Sequence, residues 1–173
     1  MNIMLDLETL GTRVGSVILS IGAYELETER KFYSVIDMKS CFQARLSVDH
    51  DTVAWWMKQS DEARQVFNDP EKVTLNKALL GLSTWLSKSR SPIIWGDGSN
   101  FDCSLLEAAY RASGQIECPW HYTKVRCYRT LKNLFTGLEK KRIGVYHRAD
   151  SDAETNGLHL KAILESIGKY DGM

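Results

Sequence analysis

The chain has 173 residues, 43% of them apolar and 25% charged, with only 3 prolines, which suits one compact domain over 1–173 and is too little for two. A chain of this length buries roughly two-thirds of the surface it exposes when unfolded, so its core needs neither disulfides nor zinc. Lys plus Arg and Asp plus Glu each number 22, a formal net charge of zero, which excludes a histone-like polycation while saying nothing of local charge. No run approaches the roughly 18 apolar residues of a membrane span, and Asp6 and Glu8 interrupt the first apolar stretch, which no signal peptide would tolerate. A cytoplasmic protein that does not engage a membrane is expected. Cys41, Cys103, Cys118 and Cys127 lack C-x-x-C or zinc spacing and are expected to be small buried side chains.

Asn2 to Leu7, Ser16 to Leu26 and Lys31 to Asp37 read as strands joined by short links, an antiparallel N-terminal meander. Thr52 to Phe67 turns helical, with Ser60-Asp61-Glu62 as a second helix start. Thr74 to Ser87 spaces Leu75, Ala78, Leu79, Leu82, Trp85 and Leu86 as an amphipathic helix. Pro92 to Gly96 is a buried strand ended by glycine, and Cys103 to Ala112 is the helix after it. Tyr128 to Phe135 and Asp150 to Ile167 complete the helices. The order implies an α/β fold, a mixed sheet with helices against it.

Three acidic signals stand out. Asp6-Leu7-Glu8 ends the first strand, and residues two apart project from one face, so these carboxylates converge while Leu5 and Leu7 pack behind them. Like charges that close need a cation between them, and Mg²⁺ or Mn²⁺ takes oxygen ligands of this kind. Taken alone, the same pattern also describes a solvated strand end. Asp102 follows the glycine-rich turn Trp95 to Phe101, where it serves either as a site acid or as an ordinary helix cap. His147-Arg148-Ala149-Asp150-Ser151-Asp152 puts Asp152 in the first turn of the last helix and His147 on the loop before it. Histidine titrates near neutrality, which suits removal of a proton from water.

In combination, D-x-E near the N-terminus, F-D after a buried strand and H-x-A-x-x-D-A opening the last helix resemble the DEDDh 3′-5′ exonucleases. The resemblance runs from Asn2 to Ile167. Asp6 to Thr12, Asp51 to Trp56 and Trp95 to Gly98 are most similar to the small phage and bacterial exonuclease VIII-like branch, which includes a polyadenylate-trimming ribonuclease. The resemblance implies a ribonuclease H-like fold: the antiparallel meander, then parallel strands, flanked by helices. It implies Asp6, Glu8, Asp102 and Asp152 as metal-holding acids around two Mg²⁺ or Mn²⁺ ions, with Asp102 acting mainly through metal-bound water and His147 as general base. It further implies contact of Glu8 with the terminal 3′-hydroxyl and release of nucleoside 5′-monophosphates from single-stranded DNA or RNA 3′ ends. Dimers occur among relatives, so a homodimer is compatible with it; a phage protein would act in the host cytoplasm. One departure is Asp97, where the branch more often carries Asn. A catalytically weak nucleic-acid-binding module on the same fold is the alternative, against which the intact set of acids argues.

Substrate contacts are expected from Glu8, Thr9, Leu10, Trp56, Phe101 and Arg129. Trp55 and Trp56 project about 100° apart on a helix, so they cannot both enter the core, and each reads either as a core residue or as a platform for a terminal base. From Lys124 to Arg148 the chain holds eight basic residues and one acid, 8 − 1 = +7, which reads either as a phosphate-binding segment or as a solvated face; Arg126 and Arg129 are the stronger phosphate candidates and Lys140-Lys141-Arg142 an exposed loop. His50 between Asp49 and Asp51 reads as a helix start. His121 and His159 receive no role.

Overall fold

The first three strands form the expected meander: β1 (Asn2–Thr9) pairs antiparallel with β2 (Ile18–Glu25), and β2 with β3 (Lys31–Val35). The structure, a computed structural model, describes residues 1–114 and 117–168. The strand β4 (Ile93–Gly96) crosses over to lie parallel to β1, and β5 (Val125–Cys127) lies parallel to β4, giving the sheet order β3-β2-β1-β4-β5. This is the mixed ribonuclease H-like sheet expected. Among the described residues no helix is long and apolar enough to cross a membrane.

Side chains alternate along β1, so it contributes to two cores. Ile3, Leu5 and Leu7 belong to the larger one, together with α4 (Leu75–Leu86) and α5 (Asp102–Ser113). Met4 faces the smaller core, formed with Tyr24 of β2, Tyr128 of α6 (Tyr128–Leu134), and Leu160, Ile163 and Leu164 of α7 (Ala149–Ser166). His159, given no role above, is structural: Tyr128 Oη lies 2.7 Å from its Nδ1 and the Leu138 carbonyl 3.0 Å from its Nε2, tying the irregular segment after α6 to α7.

Some short elements are not legible from periodicity. The helix α1 (Met38–Gln43) starts on an Asp37 cap that accepts from the Lys39 N–H, and the helical stretch expected over 52–67 breaks into α2 (His50–Trp56), α3 (Asp61–Arg64) and a 3₁₀ turn at Gln65–Phe67. The side chain of Asp49 caps α2 by accepting from the Asp51 and Thr52 N–H groups, as expected of the Asp49-His50-Asp51 run. Cys41 and Cys103 are buried, whereas Cys118 and Cys127 are only half-buried; all four are free thiols.

Gly22 fixes where α7 begins. It lies opposite Asp6 in the β1–β2 register, and a Cβ there would stand 2.1 Å from the Ala149 carbonyl oxygen and 2.5 Å from the Asp150 nitrogen. Only glycine lets the helix start rest directly on the sheet beside Asp6. Gly22→Ala is therefore expected to cost more than about 3 kcal/mol, which for a chain of this size lowers Tm by roughly 6–12 °C. A Tm within about 2 °C of wild type would contradict this close docking.

Candidate active site

The face of β1 that carries Met4 into the α7-side core also carries Asp6 and Glu8, because all three are separated by two residues. Glu8 is buried and Asp6 half-buried. The pairing of β4 with β1 ends at Leu5 opposite Gly96, two residues short of Leu7, and the Asp102 carboxylate accepts the Leu7 N–H there as well as its own. Gly96 makes room for that carboxylate, since a Cβ would stand 2.9 Å from Asp102 Oδ2. Asp102 is not a cap: the capping position of α5 is Phe101, without a side-chain cap bond, and Asp102 is the buried first residue of the helix. Asp152 arrives from the first turn of α7, half-buried.

The carboxylates stand close enough to resist ionisation together. Burial, then the charges of Asp102, Glu8 and Asp152, holds Asp6 well above the usual carboxylate range. Burial followed by Asp152 and Asp102 pushes Glu8 up to about 8, against the opposing charge of Arg142. Asp102 is raised to about 7, by burial first and Asp97 second. Among the described residues no Lys, Arg or His forms an ion pair with Asp6, Glu8 or Asp102. Such a buried, mutually repelling set of hard oxygen donors is suited to a divalent cation. Glu8, His147 and Asp152 each bring one ligand-type atom to within 4.8 Å of the others.

His147 adopts a left-handed backbone (φ 58°) at the end of the loop before α7, and its ring packs edge-on against Trp55 with centroids 4.8 Å apart. A cleft of about 780 Å³ opens from this point, lined by Glu8, Thr9, Trp55, Phe101, Arg129 and His147 among others. Thr9 is buried at its edge, with its hydroxyl donating to the Gly11 carbonyl.

Two residues expected to contact substrate are largely packed away: Trp56 lines the cleft but is buried, and Leu10 lies in the core. Trp56 is 2% exposed, its indole N–H donating to the Thr9 carbonyl at 2.8 Å and its ring packing edge-on against Phe67; its neighbour Trp55, rotated outward on α2, is 41% exposed and presents the open indole. Leu10 belongs to the core and not to the cleft. The ladder shifts register between Glu8 and Thr9, and Leu10 N–H then bonds to the Val17 carbonyl, turning its side chain inward.

The basic segment is partly neutralised. Asp97 faces Arg129 Nε at 3.2 Å and Lys132 Nζ at 2.8 Å, and Arg148 pairs with Asp150. Asp97 nonetheless adds negative charge beside Asp102. Arg142, expected on an exposed loop, instead reaches the cluster and donates to Asp152. Its sequence neighbourhood, Lys140-Lys141-Arg142, carries no periodicity that would have revealed this.

The backbone is similar to solved structures. The nuclease domain of 3′hExo, a DEDDh family member bound to rAMP, superposes with a TM-score of 0.61 at 12% identity, covering 97% of this chain and 93% of that one. Exonuclease X, in complex with 5′ overhanging duplex DNA, superposes at 0.59 with 15% identity and the same coverage, 97% and 93%. No curated protein sequence matches. The chain is a 3′-5′ exonuclease on the ribonuclease H-like fold that these structures share. It belongs to the family described as the 3′-5′ exoribonuclease Rv2179c-like domain, whose model matches residues 1–164.

Proposed function

We propose that this single domain removes nucleotides from the 3′ ends of single-stranded RNA, releasing nucleoside 5′-monophosphates. The observation that carries the reading is the acidic cluster of Asp6, Glu8, Asp102 and Asp152, three of them raised by burial and by neighbouring carboxylates, with Glu8 and Asp152 close to His147 and Glu8 and His147 lining the cleft. RNA is favoured over DNA by the family's description as an exoribonuclease.

In this reading Asp6, Glu8 and Asp152, with Asp102 behind them, hold two Mg²⁺ or Mn²⁺ ions. Divalent ions supply Lewis-acid activation of water and charge stabilisation for the leaving 3′-oxygen. The protein's own groups do the rest. His147, on a loop fixed against Trp55, accepts the proton of the attacking water. Glu8, buried at the inner end of the cleft, meets the terminal 3′-hydroxyl and so makes the enzyme count from an end. Arg129, held by Asp97, meets a phosphate of the incoming strand. Trp55 and Phe101 offer flat faces to bases, giving affinity with little sequence discrimination.

Matched RNA, polyadenylate and DNA single strands incubated with Mn²⁺ or Mg²⁺ test the substrate, with products separated by chromatography. Nucleoside 5′-monophosphates released faster from RNA are expected; nucleoside 3′-monophosphates, or a preference for DNA, would overturn the reading. The two tryptophans make a separate test. Trp55→Ala is expected to raise KM for RNA about 10-fold, in line with stacking worth roughly 1–3 kcal/mol, at little cost in Tm. Trp56→Ala is expected to lose about 3–5 kcal/mol of stability. The opposite pattern would return Trp56 to the substrate.

A further inference from the structure

Arg142 makes a set of contacts that the hydrolytic reading does not use. Its Nη1 donates to Asp152 Oδ1 and its Nη2 to the Val145 carbonyl. The guanidinium lies over the Tyr146 ring, 4.3 Å from the centroid, and its positive charge opposes the rise of the Glu8 carboxyl. The two partners of the ion pair are mostly out of water, with side-chain exposures of 19% for Arg142 and 21% for Asp152. One of the three nitrogens goes without a partner: Nε is buried and makes no hydrogen bond. A guanidinium selected only for structural support would be expected to satisfy that N–H. Here Nη1 is committed to a carboxylate of the acidic cluster and Nη2 to the Val145 carbonyl, while the buried Nε goes unpaired.

We infer that Arg142 is a resident cation of the site, holding Asp152 when no divalent ion is bound and releasing it when one binds. The inference rests on the reading of Asp152 as a metal ligand. A divalent ion and the guanidinium compete for the same carboxylate, and a second positive centre beside a dipositive ion is repelled. The exchange also loosens a tie within the loop, because Arg142, Val145 and Tyr146 precede His147 directly. Arg142 is thus a positioning residue: it keeps the half-buried acid ordered in the metal-free protein and couples ion binding to the loop that carries His147.

The test is Mn²⁺ binding by titration calorimetry to the wild-type protein and to Arg142→Gln and Arg142→Lys, with melting temperatures in EDTA and at saturating Mn²⁺. Arg142→Gln is expected to bind Mn²⁺ at least about five-fold more tightly, since its competitor is gone. By the same linkage its melting temperature falls below wild type in EDTA, and the gap narrows at saturating Mn²⁺. Arg142→Lys, which keeps the charge but loses the planar fork, is expected to fall between. Equal or weaker Mn²⁺ binding by folded Arg142→Gln, or a thermal penalty unchanged by Mn²⁺, would overturn the assignment, because a purely structural clamp behaves that way. Absence of Mn²⁺ binding to wild type and variants alike overturns the reading of the acids, and this inference with it.

Discussion

Asp102→Asn is expected to abolish hydrolysis and, at the same time, to raise the melting temperature of the metal-free protein. Both effects have one cause. The carboxylate is buried beneath Gly96, and burial together with the charge of Asp97 raises it to about 7; ionising it near neutral pH is therefore costly, and that cost is offset only by a bound cation. Asparagine keeps the shape and an oxygen to accept the backbone N–H groups while removing the charge. Metal-free stability is expected to rise by about 2 kcal/mol, or roughly 4–8 °C in Tm. Activity is expected to fall at least about 10³-fold, the scale seen when a preorganised charge-stabilising group is lost. A variant that loses stability and activity together would instead point to a structural Asp102.

Metal-free stability is also expected to fall as pH rises from about 4 to 8. Asp6, Glu8 and Asp102 have raised pKa values in the folded protein, with Glu8 near 8 and Asp102 near 7. Between the ordinary carboxylate range and these values the folded protein holds protons that the unfolded chain has given up, so the slope of stability with pH is negative. The stabilisation is fully present below about pH 4 and is lost as pH rises through the folded values. The change is on the order of 3–5 kcal/mol over this window, or about 10 °C in Tm. Mn²⁺ at about a hundred times its Kd is expected to restore about 2.7 kcal/mol, and to do so more strongly at pH 8 than at pH 5. Thermal unfolding across pH with EDTA or Mn²⁺ measures both; a flat metal-free profile, or a Mn²⁺ effect independent of pH, would contradict a repelling acidic cluster.

The acids were more legible in the sequence than the surfaces around them. Strand alternation alone puts Asp6 and Glu8 on one face, and the same alternation sends Met4 toward α7, so the site and the smaller core share a side. Asp102 and Asp152 needed motif order, since each also reads as a helix-start residue. The three residues of β5 hold no alternation to detect and become a strand only by pairing with β4. Adjacency shows that Trp55 and Trp56 diverge, but which one faces the cleft depends on how α2 rotates onto the Thr9 carbonyl, a long-range contact. Leu10 turns into the core because the register shift after Glu8 reverses the face that plain alternation gives it. Arg142 was hidden for a related reason: its side chain reaches back from an irregular loop to a helix ten residues on, and no local pattern encodes such a reach.

The proposed function is that these acids and His147 cut RNA from its 3′ end with the help of a divalent ion. It is tested most directly with one RNA labelled at its 5′ end and, in parallel, at its 3′ end, incubated with Mn²⁺ or with excess EDTA. Immediate release of the 3′ label as a mononucleotide and stepwise shortening of the 5′-labelled strand are expected, and neither in EDTA or with Asp102→Asn. Undiminished cleavage in EDTA, or release of the 5′ label first, would contradict it.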